Sequence, residues 1–164
     1  MRLKEFDYSN PGYYFITTCT RFSKNLFGKI ARGKMELNKY GLIVEGAWLS
    51  LPDYYSNIEL DYYSIMPNHF HAILILTGRV EMNFPSPEIK TEKFTLSQII
   101  AYFKYQTTKK INELSDSAGE KIWQRSFYDR IIRNEKELYL IRKYIEQNPF
   151  KWALENNLPD NLDI

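Results

Sequence analysis

Residues 69–76, His-Phe-His-Ala-Ile-Leu-Ile-Leu, constrain the fold of this chain more than any other stretch. The run follows a Pro67-Asn68 turn signal and has the length and composition of one strand. Side chains on a strand alternate between faces. Ile73 and Ile75 therefore share the face of His69 and His71, while Leu74 and Leu76 share that of Phe70. A strand apolar on both faces needs cover on both sides. The chain must therefore supply packing layers above and below its sheet.

The remaining pattern supplies them. Residues 13–20, aromatic and β-branched, read as a strand. Residues 26–37 read as a short hairpin around Ala31-Arg32-Gly33. From Asn38 to about Tyr54, Leu42, Ile43, Ala47, Trp48 and Leu51 recur at helical spacing, and Pro52 marks the end. Residues 58–65 read as a second core strand. Residues 78–94, with Gly78, Pro85 and Pro87 and no period, read as a mobile loop. Thr95 and Gln98 form a capping box ahead of a helix with the stripe Leu96, Ile99, Ile100, Phe103, Ile111 and Leu114. After a polar break at 115–120, a fourth strand is predicted over Ile122–Arg133. Asn134 and Glu137 repeat the capping box before a helix over 135–147, which Pro149 should stop. Residues 150–164 form a tail in which Trp152 and Leu154 can dock.

The order β-α-β-β-α-β followed by a helix predicts an α+β, ferredoxin-like (split βαβ) fold. Its antiparallel sheet carries two helices on one face, and the last helix covers the other, over the histidines. At 164 residues, one domain spanning 1–164 is expected. A single cysteine, Cys19, excludes an intrachain disulfide and a cysteine-rich zinc site. The first residues lack the apolar run of a signal peptide, and no segment has the apolar length of a membrane span, so a soluble intracellular protein is expected. A net charge of +2 neither demands nor forbids a nucleic-acid partner.

His69 and His71 are the only two histidines. Two apart on a strand, their Cα atoms lie roughly 6.5–7 Å apart on one face. Two imidazoles so placed can lean toward one ion with metal–nitrogen bonds of ~2.1 Å. On the last helix Tyr144 and Asn148 are four apart and face the same way, beside the packing stripe Leu138, Ile141 and Ile145. Seated on the sheet, that stripe brings a phenol and an amide oxygen to the histidines. A phenol beside a divalent ion suits nucleophilic attack on phosphorus, since the broken strand stays attached and can be passed to another hydroxyl. The plainer alternative is that Tyr144 packs and Asn148 caps the helix.

Three motifs in this order, Met66-Pro67-Asn68-His69-Phe70-His71, Trp123-Gln124-Arg125-Ser126-Phe127-Tyr128-Asp129-Arg130-Ile131-Ile132-Arg133-Asn134 and Tyr144-Ile145-Glu146-Gln147-Asn148-Pro149, resemble the REP-associated tyrosine transposases. These are single-tyrosine members of the HUH nuclease superfamily, related to insertion-sequence transposases. The resemblance runs from Gly12 to about Trp152. It implies that His69 and His71 bind the metal and that Tyr144 forms a 5′-phosphotyrosine, freeing a 3′-hydroxyl. Asn148 matches the position where the related insertion-sequence enzymes complete the metal site with glutamine. The resemblance further implies Mg²⁺ or Mn²⁺, with zinc still possible, and single-stranded DNA bearing hairpins as substrate. It also implies a bacterial cytoplasmic, nucleoid-associated setting and either a monomer or a helix-exchanging homodimer.

Arg125, Arg130, Arg133, Arg142, Lys143 and Lys151 cluster near the proposed site and are candidates for phosphate contacts, with Arg125, Arg130, Arg133 and Lys143 foremost. Asp129, Glu135, Glu137 and Glu146 interleave with them, so a mixed solvated face is the competing reading. Tyr13, Tyr54, Tyr55 and Tyr62 are candidates for stacking on unpaired bases. Asp129 could orient a histidine or bind a base. Two other functions fit the same elements: a non-catalytic, RRM-like single-strand binder, and a metal nuclease that uses water.

Overall fold

The computed structural model describes residues 10–78 and 94–155. Its strands are β1 (Gly12–Cys19), β2 (Gly28–Ala31), β3 (Lys34–Leu37), β4 (Ile58–Ile65), β5 (His69–Leu76) and β6 (Tyr128–Ile132). Its helices are α1 (Lys39–Leu49), the single turn α2 (Leu51–Tyr54), α3 (Leu96–Ser115) and α4 (Glu135–Glu155). The main sheet has the order β4-β5-β1-β6, with every pairing antiparallel. Counting only those four strands, this is the ferredoxin-like order. β2 and β3 pair as a separate hairpin. Among the described residues no helix is long and apolar enough to cross a membrane.

Both faces of β5 are covered. On one, Phe70, Ala72, Leu74 and Leu76 join Trp48 of α1 and Phe103 of α3 in the larger core. Trp48 meets Phe70 and Phe103 edge-on at 5.0 and 5.6 Å. Polar satisfaction helps fix this layer: Trp123 donates its indole N–H to Thr107 Oγ1 at 2.8 Å. On the other face Phe15, Ile73 and Ile132 pack against Ile145, Leu138 and Ile141 of α4. The last helix therefore lies over the histidine face, as the two-sided apolar pattern requires.

Local chemistry explains the helix starts. Asn38 accepts from Tyr40 and Gly41 N–H to cap α1. Thr95 and Gln98 form both halves of the capping box of α3. At α4, Asn134 Oδ1 accepts from Glu137 N–H, but the Glu137 carboxylate reaches Arg133 N–H and not the capping residue's own.

Three boundaries and one packing stripe differ from the sequence reading. The helix expected over 38–54 breaks at Ser50, and Pro52 sits in the first turn of α2, where its missing N–H costs nothing. Leu114, assigned to the α3 stripe, is exposed, and Thr107 is buried instead. The strand expected over 122–133 is confined to β6, with one isolated bridge between Thr20 and Trp123. Most consequentially, α4 does not stop before Pro149; it runs through the proline to Glu155. Packing offsets the lost backbone bond: Ala153 and Trp152 bury against Ile30, Met66 and Met35 beside the hairpin. The loop expected over 78–94 lies, between its end residues, outside the described residues, as does the tail beyond 155.

Candidate functional site

The tight turn at 66–69, closed by Met66 N–H donating to the His69 carbonyl at 2.8 Å, delivers the two histidines onto β5. Register sets their neighbours. Thr17 lies opposite His71 and Cys19 opposite His69, so these four side chains share the face under α4. The imidazole centroids are 4.6 Å apart and steeply inclined. His71 Nδ1 lies 2.7 Å from Thr17 Oγ1, and its ring stacks on Phe15 at 5.6 Å. His69 Nδ1 donates to Asn68 Oδ1 at 2.7 Å. Each ring thus has Nδ1 engaged, which leaves Nε2 of each for a further partner.

α4 brings the other two candidates. Tyr144 sits edge-on 5.4 Å from the His71 ring and 6.2 Å from Phe15, 40 % exposed. Asn148, one helical turn on, is only 7 % exposed, and its side chain hydrogen-bonds the His69 ring. An amide buried there is turned inward to the imidazole, which is not how a helix C-cap behaves. Two further side chains flank the group: Trp152 lies 5.8 Å from His69, and Lys151 Nζ lies 5.3 Å from the Tyr144 ring.

Burial sets the charge state of the pair. Desolvation pulls His69 down to about 4 despite the opposing Asn148 hydrogen bond. Desolvation, followed by the proximity of His69, pulls His71 down to about 3. Both imidazoles are neutral near pH 7, the form that donates a lone pair to a metal. Among the described residues no group of three or more His, Cys, Asp or Glu gathers to hold an ion. The donors that do converge are two imidazoles and the Asn148 amide. Nδ1 of each ring is fixed by a neighbour, as metal-binding histidines require. Nitrogen and neutral oxygen donors in this number fit a divalent ion with positions left for phosphate oxygens.

A two-pronged ion pair fixes the helix. β4 has one extra residue between Leu60 and Tyr63, a bulge at Asp61-Tyr62. Asp61 there accepts from both Nε (2.9 Å) and Nη2 of Arg142, and the guanidinium lies 5.4 Å from the Tyr62 ring.

The proposed phosphate-contact residues divide. Arg125, Arg133 and Lys143 are exposed. Arg130 pairs with Glu137, and Arg142 is taken by Asp61. Asp129 lies opposite Ile16 in the register, on the sheet face away from the histidines, so it does not orient them. Tyr55 is buried against Phe94 and is not a stacking surface. Sequence reasoning missed Phe15, Thr17 and Asn68 as supports of the histidines. The strand alternation that paired His69 with His71 could have found Thr17 once β1 was placed beside β5.

The fold and site define a class: a ferredoxin-like sheet with a tyrosine-bearing helix laid over a histidine pair. A computed comparison with protein-family models finds no match. An uncharacterized protein of Haemophilus influenzae is 35% identical over 164 residues, covering 93% of this chain and 88% of that one. The chain belongs to the family of that protein. A solved structure of a REP-associated tyrosine transposase bound to a REP hairpin superposes with a TM-score of 0.62 at 20% identity, covering 93% of this chain and 75% of that one. The resemblance read from the three motifs thus holds at the level of the fold.

Proposed function

We propose that this protein is a transposase-type DNA strand transferase that cuts and rejoins single-stranded DNA at hairpin-bearing sequences. One observation carries the reading: Tyr144, His71, His69 and Asn148 of one chain meet on the α4 side of the sheet, with the tyrosine ring 5.4 Å from His71. Likeness to a transposase bound to a REP hairpin supports the choice of substrate.

Tyr144 Oη attacks the phosphorus of a phosphodiester. An O–P bond forms to the phenol, the bond from phosphorus to the 3′-oxygen breaks, and the phenolic proton ends on that oxygen. The products are a 5′-phosphotyrosine and a 3′-hydroxyl. Attack by a 3′-hydroxyl on the phosphotyrosine reverses the step and restores the phenol. His69, His71 and Asn148 would hold Mg²⁺ or Mn²⁺, which when bound supplies charge stabilisation to the phosphate oxygens. Thr17 and Asn68 keep the two imidazoles oriented. Lys151 offers a positive charge beside the phenol. α4 and its packing stripe hold the nucleophile over the histidines.

The test is a covalent-adduct assay. Protein mixed with hairpin-bearing single-stranded DNA and Mn²⁺ should give a protein–DNA adduct that survives denaturant. Tyr144→Phe should abolish it while leaving DNA binding. Cleavage with no adduct would instead identify a water-using nuclease, and binding without cleavage a simple binder.

A further inference from the structure

The same end of the sheet holds a second feature. Between the turn at 20–24 and the 119–122 segment lies a cavity of about 300 Å³, lined by Arg21, Phe22, Lys24, Tyr40, Glu120 and Lys121 among others. Its volume is at the small end of ligand pockets, room for one base and not for a duplex. Three cations and one carboxylate are among its lining residues. Phe22 is 74 % exposed, the most exposed large apolar side chain among the described residues. It is held out by an unfavourable backbone: Phe22 (φ 58°) and Ser23 (φ 54°) are consecutive non-glycine residues in the left-handed region. Thr20 Oγ1 donates to the Lys24 carbonyl at 2.8 Å, and Arg21 N–H to the Ile122 carbonyl at 2.8 Å, which fixes the turn on both sides. The Arg21 guanidinium lies 4.7 Å from the Phe22 centroid, on one face of the ring. The turn is tied to the histidines through one residue. Asn68 donates Nδ2–H to the Ser23 carbonyl at 3.4 Å and accepts from His69 Nδ1 with Oδ1.

We infer that this cavity is a base-stacking subsite for an unpaired nucleotide of the DNA strand that enters the histidine site. The base stacks on the open face of Phe22, and Arg21, Lys24 and Lys121 neutralise the flanking phosphates. A packing role does not account for an aromatic ring presented to solvent on a strained turn. A sequence-tolerant stacking platform beside a cluster of cations does. The inference rests on the functional reading above and adds a contact outside the residues that reading uses.

The experiment measures equilibrium binding of a labelled single-stranded oligonucleotide, a hairpin with unpaired flanks, without metal so that no cleavage intervenes. Phe22→Ala should weaken binding about tenfold or more, and Phe22→Tyr should restore it. Lys24→Gln with Lys121→Gln should weaken binding and reduce the slope of log affinity against log salt by about 1.4, roughly 0.7 per cation on a single strand. Abasic substitution scanned along the unpaired flanks should find one position that weakens binding to the native protein and not to Phe22→Ala. If the native protein forms the adduct but these variants bind as it does, the subsite is wrong and the functional reading stands. If Phe22→Ala weakens binding equally at every abasic position, the ring supports only the turn, and the subsite is again wrong. If the native protein neither binds nor forms an adduct, the functional reading fails and the subsite with it.

Discussion

Arg142 and Asp61 join the tyrosine helix to the neighbouring strand of its own chain, two residues before the nucleophile candidate. Asp61 follows Leu60, which faces the core, so strand alternation turns it toward α4, at the bulge in β4. A bidentate guanidinium–carboxylate pair fixes orientation as well as distance. Arg142 therefore sets where Tyr144 hangs over His71.

Asp61→Asn should lower the thermal midpoint by about 2–8 °C, corresponding to about 1–2 kcal/mol for a charge-assisted pair that is partly open to solvent. The rate of adduct formation should fall further than DNA affinity. Calorimetry alongside the adduct assay reads both effects. An unchanged midpoint and an unchanged rate would show that the pair does not seat the helix.

Stability should decline in acid in two stages. The unfolded chain protonates its histidines near ~6.5, whereas burial holds the folded rings at about 4 and about 3. Between those limits the unfolded state binds more protons, so stability falls as pH drops from about 6.5. Asp61 follows. Burial pushes its carboxyl up, but the Arg142 hydrogen bond, the Tyr62 N–H and the Arg142 charge outweigh this and hold it below the usual carboxylate range. Its contribution is complete above the unfolded carboxyl pKa near ~4 and is lost as pH falls through the lower folded value. Thermal midpoints measured across pH in the metal-free protein should show the first decline, and His71→Gln should flatten it.

Thr17→Val keeps the side-chain shape and removes the hydroxyl that holds His71 Nδ1. Loss of such a support around a metal ligand typically costs about 10–100-fold in metal affinity. Mn²⁺ titration by calorimetry should show a loss in that range with the fold intact. Equal affinity would mean that the β1 hydroxyl does not orient the ring.

Asn148→Ala should raise the Mn²⁺ concentration needed for half-maximal adduct formation by at least about tenfold. DNA affinity without metal should be unchanged. Asn148→Asp, which supplies a charged oxygen at the same reach, should need less Mn²⁺ than Asn148→Ala. Identical metal dependence in all three proteins would remove Asn148 from the donor set.

Much of this was legible in the chain because strand alternation is a short-range property. Ile73 and Leu74 pointed to opposite layers, and the structure has them there. The capping residues Thr95 and Asn134 marked helix starts because their hydrogen bonds close within a few residues. What was hidden depends on distant contacts. Continuation of α4 past Pro149 rests on Ile30 and Met66, far away in sequence. Asp61 as a partner of Arg142 depends on a contact across 81 residues that no local pattern announces. The face of Asp129 was hidden because it is set by pairing with Ile16 of β1, more than a hundred residues away.

The passage of α4 through Pro149 also bears on stoichiometry. The helix is fastened ahead of Tyr144 by Arg142 and behind Asn148 by the anchoring of Trp152 and Ala153. Lending Tyr144 to a second molecule would mean undoing both moorings together and re-forming both on the partner. On the function proposed above, a chain tethered at each end of this segment would act unaided, and adduct formation should rise in simple proportion to enzyme at any dilution.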